Sequence, residues 1–278
     1  MQRLITIIAV LIFFANTLDA QEFKMQWSGP ERIWLGEETW ANRLQDWKIY
    51  NNELHCIVSD WNRNINLLTW RLSEKDGSFK VSTEFRLLNT ERSSRNWVGV
   101  RIASRGRFND YRDDAIFGKG LDIGVTTNGE IFFDKPSEKY EKNAEGVFPF
   151  LGELAILQID VEQAAVDYII KVSLFRKSDN KLLAHETYVN IHASDLFGSL
   201  ALVSHFPESD SKNKPSVAFA SWSASGSKLV SYPQRSFGPI LFAQHTLSRD
   251  VLKMSAQMPP MGSGDDRYVS LEIFEGGE

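Results

Sequence analysis

Phe79-Lys80-Val81-Ser82-Thr83-Glu84-Phe85-Arg86-Leu87 alternates apolar and polar side chains without a break. A period of two sends Phe79, Val81, Thr83, Phe85 and Leu87 to one face and Lys80, Ser82, Glu84 and Arg86 to the other. That is how an antiparallel strand buries one face and wets the other. The same period returns at residues 53–58, 65–72, 96–104, 120–126, 129–134, 154–162, 166–176, 181–188, 198–205 and 215–224. No amphipathic helical pattern persists for about 12 residues. Turn chemistry separates the runs: Thr127-Asn128-Gly129 signals a type I′ hairpin, and Ser178-Asp179-Asn180-Lys181 closes a longer one. About ten to twelve strands in about 200 residues exceed a simple immunoglobulin-type domain and fit a larger two-sheet jelly roll.

Composition agrees with an all-β chain. The 278 residues are 42% hydrophobic and 24% charged, near the soluble average, and 8 Trp, 7 Tyr and 18 Phe favour pleated surfaces. The net charge of -5 offers no excess of cations to neutralise phosphates, which argues against nucleic acid as a partner. Cys56, the one cysteine, excludes an intramolecular disulfide, and the alternation of Leu54-His55-Cys56-Ile57-Val58 reads it as a buried thiol.

The ends of the chain carry other expectations. Arg3, the apolar run Leu4 to Phe14 and the small residue Ala20 read as a cleaved signal peptide over 1–20, giving a secreted or periplasmic protein. The run is too short to cross a bilayer, for which about 20 residues are needed. No later stretch is apolar enough to span. Residues 21–230 are then the sandwich and 231–239, with Tyr232-Pro233 and Gly238-Pro239, a linker. In 240–278, Leu252, Met254, Ala256 and Met258 alternate with polar neighbours, and Tyr268 to Phe274 alternates again. Two such strands cannot bury a core, so 240–278 reads as the beginning of a second, incomplete immunoglobulin- or fibronectin-like β domain.

Motif searches for chemistry are mostly negative. The sequence has no Gly-x-Ser-x-Gly elbow, no His-Glu-x-x-His, no phosphate loop and no cysteine pair for zinc. Glu74-Lys75-Asp76, a Glu-x-Asp segment, lacks the second glutamate of a sandwich glucanase and reads as a turn. The densest polar stretch, 101–122, holds Arg101, Tyr111, Arg112, Asp113, Asp114, Lys119 and Asp122. One reading is a loop that grips sugar hydroxyls with carboxylates and guanidinium forks while Tyr111 or Trp97 stacks on a ring. The other is a solvated connection with weak ion pairs. Asp110, Asp113 and Asp114 are calcium candidates, although their spacing is not that of an EF-hand. His205 ends a strand at a loop mouth, as a ligand donor or as a satisfied structural histidine. Trp222 reads either as packing between sheets or as part of an open face.

Two segments carry a family resemblance. Gly198-Ser199-Leu200-Ala201-Leu202-Val203-Ser204-His205 and Ser216-Val217-Ala218-Phe219-Ala220-Ser221-Trp222-Ser223 resemble the last two strands of concanavalin A-like domains, including those of 3-keto-disaccharide hydrolase type. Residues 112–129, with Phe237-Gly238-Pro239-Ile240-Leu241-Phe242, resemble the N-terminal region of secreted alkaline phosphatase D-related proteins. There a lectin-like sandwich precedes a small β domain and a metallophosphatase domain. The Asp-x-His, Gly-Asp and Gly-Asn-His segments of a two-metal site are missing; Gly264-Asp265-Asp266 is a lone Gly-Asp. The resemblance therefore implies a non-catalytic accessory domain that binds carbohydrate or another cell-surface ligand, with a phosphatase domain encoded downstream. The alternatives are a glycoside-cleaving enzyme using carboxylates and His205, or a structural spacer.

Overall fold

In a computed structural model the described residues are 21–108, 110–137 and 152–273, so the expected signal peptide lies outside them. The strands in chain order are β1 (Gln21–Gln26), β2 (Thr39–Ala41), β3 (Trp47–Tyr50), β4 (Glu53–Cys56), β5 (Arg63–Leu72), β6 (Phe79–Leu87) and β7 (Trp97–Arg105). After the one α-helix among the described residues, α1 (Tyr111–Phe117), follow β8 (Lys119–Thr126), β9 (Ile131–Phe133), β10 (Ala155–Ala164), β11 (Asp167–Arg176) and β12 (Lys181–His192). The last are β13 (Gly198–His205), β14 (Val217–Gly226), β15 (Leu229–Ser231), β16 (Phe242–Ser248) and β17 (Val251–Gln257).

β16 and β17 pair as a separate two-stranded sheet, and strands β1–β15 form an all-β jelly-roll sandwich of two antiparallel sheets. One runs β12-β11-β10-β6-β14-β4-β3, with β1 also on β14; the other runs β15-β5-β13-β7-β8-β9, with β2 also on β5. Inner faces meet in one apolar core, where Phe79, Val81, Phe85 and Leu87 of β6 are buried as their alternation requires. Trp222 is fully buried, edge-on to Phe23 at 5.4 Å, and Trp47 lies near parallel to Phe219 at 6.4 Å, so both tryptophans are packing residues. Cys56 is buried too, and burial pushes its thiol up to about 11.

Consecutive strands β13 and β14 lie in different sheets, yet Ser204 and Ser216 hydrogen-bond at 2.7 Å between the layers. The chain ends of the sandwich are neighbours. Gln21 of β1 pairs with Gly226 of β14, and the Ser231 N–H donates to Gln21 Oε1 at 3.2 Å.

Several turns differ from their sequence reading. Gly129 N–H donates to Thr126 O, and Gly129 alone in that loop has positive φ, at 94°. Type I′ would need positive φ at both central residues; this is a type I turn closed by a left-handed glycine in a three-residue loop. The Glu74–Asp76 turn is clasped from outside: Lys228 Nζ donates to Lys75 O at 2.7 Å and the Tyr168 hydroxyl to Asp76 at 3.2 Å.

The expected linker begins later and is fastened down. Gly226 still belongs to β14 and Ser231 to β15. Tyr232 N–H then donates to Thr69 O, Phe237 N–H to Glu37 O, and Trp34 Nε1 to Phe237 O at 3.0 Å. Beyond it, β17 pairs with β16, a strand the sequence reading missed, and residues 268–273 form no strand; Phe274 lies outside the described residues. The hairpin β16–β17 is exposed throughout.

Candidate functional site

The seven-stranded sheet turns its second face outward, and register builds that face in rows. Val203 pairs with Asn64 on one side and Gly99 on the other, and Gly99 with Gly124, which faces Phe132. One row over, Ala201 sits between Asn66 and Arg101, and Arg101 pairs with Asp122. On the opposite flank His205 pairs with Trp97. The middle row is small at Gly124, where a Cβ would run into Val98 O and come within 3.1 Å of the Phe132 ring. Trp97, Phe132 and Val203 form a separate apolar patch on this outer face.

Above these rows lies a groove of about 510 Å³, walled by the end of α1 with residues 118–120 and by Asp134, Lys135 and Pro136. That volume falls in the range of ligand sites, roughly 300–1,000 Å³. Its floor is a hydrogen-bonded chain. Asn66 Nδ2 donates to Ala115 O at 3.1 Å and to Asn64 Oδ1 at 2.9 Å, and Asn64 Nδ2 donates to Asn62 Oδ1 at 3.3 Å. Arg101 completes it, donating to Asn62 Oδ1 at 3.2 Å and gripping both Asp122 oxygens at 2.7 and 2.9 Å. Asn42 braces the chain from β2's side, accepting from Asn64 N–H and donating to Asn62 O, each at 2.7 Å.

The histidine is fixed in one form. Asn62 N–H donates to His205 Nδ1 at 3.1 Å, so the ring proton sits on Nε2. Its ring stacks on Trp97 at 5.1 Å and 21°. Burial, followed by the charges of Arg101 and Arg95, pushes His205 down to about 4, so it is neutral at pH 7. Burial also raises the Asp122 carboxyl above the usual range, against the pull of Arg101 and with a push from Asp134.

Of the residues singled out in the sequence, Trp97, Arg101, Lys119, Asp122 and His205 meet in this groove. Trp97 is 4% exposed, with Phe132 edge-on at 5.0 Å, so it supports His205 and offers no open ring to a sugar. Tyr111 and Arg112 lie across α1, on a smaller cleft of about 220 Å³ shared with Trp40, Leu68 and Phe237. Arg235 covers the Tyr111 ring at 5.1 Å, so the expected stacking on sugar is not offered there either.

The three calcium candidates do not converge. Asp110 caps α1, accepting from Arg112 N–H at 2.8 Å and pairing with its guanidinium. Asp113 accepts from Phe108 N–H at 2.8 Å. Asp114 is buried, accepting from Gly106 N–H at 2.8 Å and the Ser199 hydroxyl at 3.2 Å, with Arg71 at 3.4 Å. Among the described residues no group of three His, Cys, Asp or Glu side chains is placed to hold a metal.

Sequence reasoning missed the asparagines, Asp134 and Lys135. The signal for the first was present: Asn62-x-Asn64-x-Asn66 has the period of one strand face, and amides there are costly unless they serve a polar surface.

No protein-family model and no curated protein matches the sequence. Among solved structures the chain is similar to arcelin-5, a lectin-like defence protein from Phaseolus vulgaris, at 12% identity and TM-score 0.48, over 75% of this chain and 99% of that one. It is similar to the winged bean acidic lectin complexed with methyl-α-D-galactose at 12% identity and TM-score 0.48, over 76% and 100%. A legume lectin-like domain from Entamoeba histolytica matches at 10% identity and TM-score 0.44, over 72% and 95%. The likeness is one of sandwich layout.

Proposed function

We propose that this protein is a non-catalytic, lectin-like module that binds carbohydrate in the groove on the outer face of its seven-stranded sheet. The observation that carries the reading is the Asn66–Asn64–Asn62–Arg101–Asp122 chain, whose members fix one another's orientation beside open space. Sugar hydroxyls are recognised by groups of this kind: amides and charged forks held in place before the ligand arrives.

Both oxygens of Asp122 are engaged by Arg101, so the groove offers no free pair of carboxylates for acid and base roles. That supports binding over the glycoside-cleaving alternative. The resemblance of residues 112–129 and 237–242 extends the proposal to an exported accessory role beside a phosphatase domain.

Titration calorimetry of the purified protein against a glycan panel tests the binding claim, with Asn62→Ala as the comparison. Binding to at least one glycan, weakened about tenfold by Asn62→Ala at a temperature where the variant is still folded, is expected. Silence across the panel, or sugar release that needs His205, removes it.

A further inference from the structure

We infer that the groove selects acidic carbohydrate, in which a carboxylate or sulfate on the sugar is held by its surplus of donors. The inference rests on the carbohydrate reading and narrows it to one ligand class. It comes from the polar atoms that the internal hydrogen bonds leave open. His205 has its Nδ1 occupied by Asn62 N–H, so Nε2–H faces a ligand as a donor alone. Asn62 accepts through Oδ1 from both Asn64 and Arg101, which leaves its amide hydrogens without a partner among the described residues. Arg101 engages Asp122 and Asn62 through Nε and Nη2, leaving Nη1.

Lys119 and Lys135, both exposed and lining the groove, have no anionic partner among the described residues. Against these donors stand the Asp134 carboxylate and Asn66 Oδ1 as open acceptors. The groove thus sets three cations against two carboxylates, one of them already gripped by Arg101, within a chain of net charge -5.

A neutral sugar presents donors and acceptors in near balance and leaves part of this array unmatched. An anionic substituent brings two or three acceptors without a hydrogen and satisfies the surplus with charge-assisted bonds. With a net charge of -5 the chain as a whole offers polyanions no general attraction.

The test uses the purified protein and four probes in parallel calorimetric titrations at low and moderate salt: a tetragalacturonate, a sulfated tetrasaccharide, a neutral tetragalactose and polyphosphate. Binding of either acidic sugar about tenfold or more above the neutral one, lowered about tenfold in Lys119→Gln/Lys135→Gln and weakened by salt, is expected. The two acidic arms tell carboxylate from sulfate. Equal binding of the neutral and acidic sugars overturns the inference and leaves the carbohydrate reading standing. Binding to no sugar overturns both. Binding of polyphosphate as tight as that of the acidic sugars shows charge attraction alone and also overturns it. Both lysines are on the groove walls and exposed or half-exposed, and an unchanged Tm in the double variant confirms that the comparison is of folded proteins.

Discussion

In the turn around α1 each aspartate faces a donor of the protein itself, whereas in the adjoining groove amides, imidazole and ammonium groups face open space. The two regions are chain neighbours and share α1, yet they use charge differently. Asp110, Asp113 and Asp114 close the turn onto Arg112 N–H, Phe108 N–H and Gly106 N–H. Arg101 and Asp122 hold each other and leave the atoms beside them exposed. A polar side chain in the first region maintains shape, and one in the second maintains a surface. Density of charge in a sequence does not separate these uses; the identity of each partner does.

Asp114→Ala should make the largest difference between the two regions. It leaves Arg71 without its buried partner and two donors unmatched, so a loss of about 3 kcal/mol or more in urea unfolding is expected. A variant as stable as the parent would show that the turn is not held by this carboxylate.

The next effect belongs to the groove and is read in pH. A histidine whose folded value lies below its unfolded one binds fewer protons when folded. Stability is therefore complete above the unfolded value near 6.5 and drains as pH falls through about 4, by up to about 3 kcal/mol. Arg101 and Arg95 deepen the effect and Asp60 opposes it. His205→Asn should flatten the unfolding free energy between pH 6.5 and 4; an unchanged slope would assign the acid lability elsewhere.

Smaller again is Asp110→Ala, which removes the cap of a short exposed helix and should lower Tm slightly, well below the change in Asp114→Ala. Smallest is Lys119→Gln, expected to stay within about 0.5 kcal/mol of the parent in stability while weakening acidic-sugar binding. A marked fall in its Tm would move Lys119 from the ligand surface to the structural set and blur the distinction.

The sandwich was largely legible because its long strands obey one physical rule. β6, β10 and β11 have a face in the core, and burial enforces alternation along most of their length. The short edge strands β2, β3 and β15 have three or four residues, too few for a period to show. β16 escaped because Phe242-Ala243-Gln244-His245-Thr246-Leu247-Ser248 does not alternate, whereas the equally exposed β17 does.

The groove was half legible. Arg101 and Asp122 stand 21 positions apart and meet through the β7–β8 register. A helix and a bulge intervene, so counting back from a turn could not reveal the pair. Tyr111 and Arg112 were grouped with them by proximity in sequence, and α1 carries both to its other side.

The contact between Gln21 and Ser231 has a consequence for engineering. A short tether from Ser231 back to Gln21 would close the sandwich into a ring while leaving both sheets paired, and new ends opened in an exposed hairpin such as 177–180 would give a circular permutant.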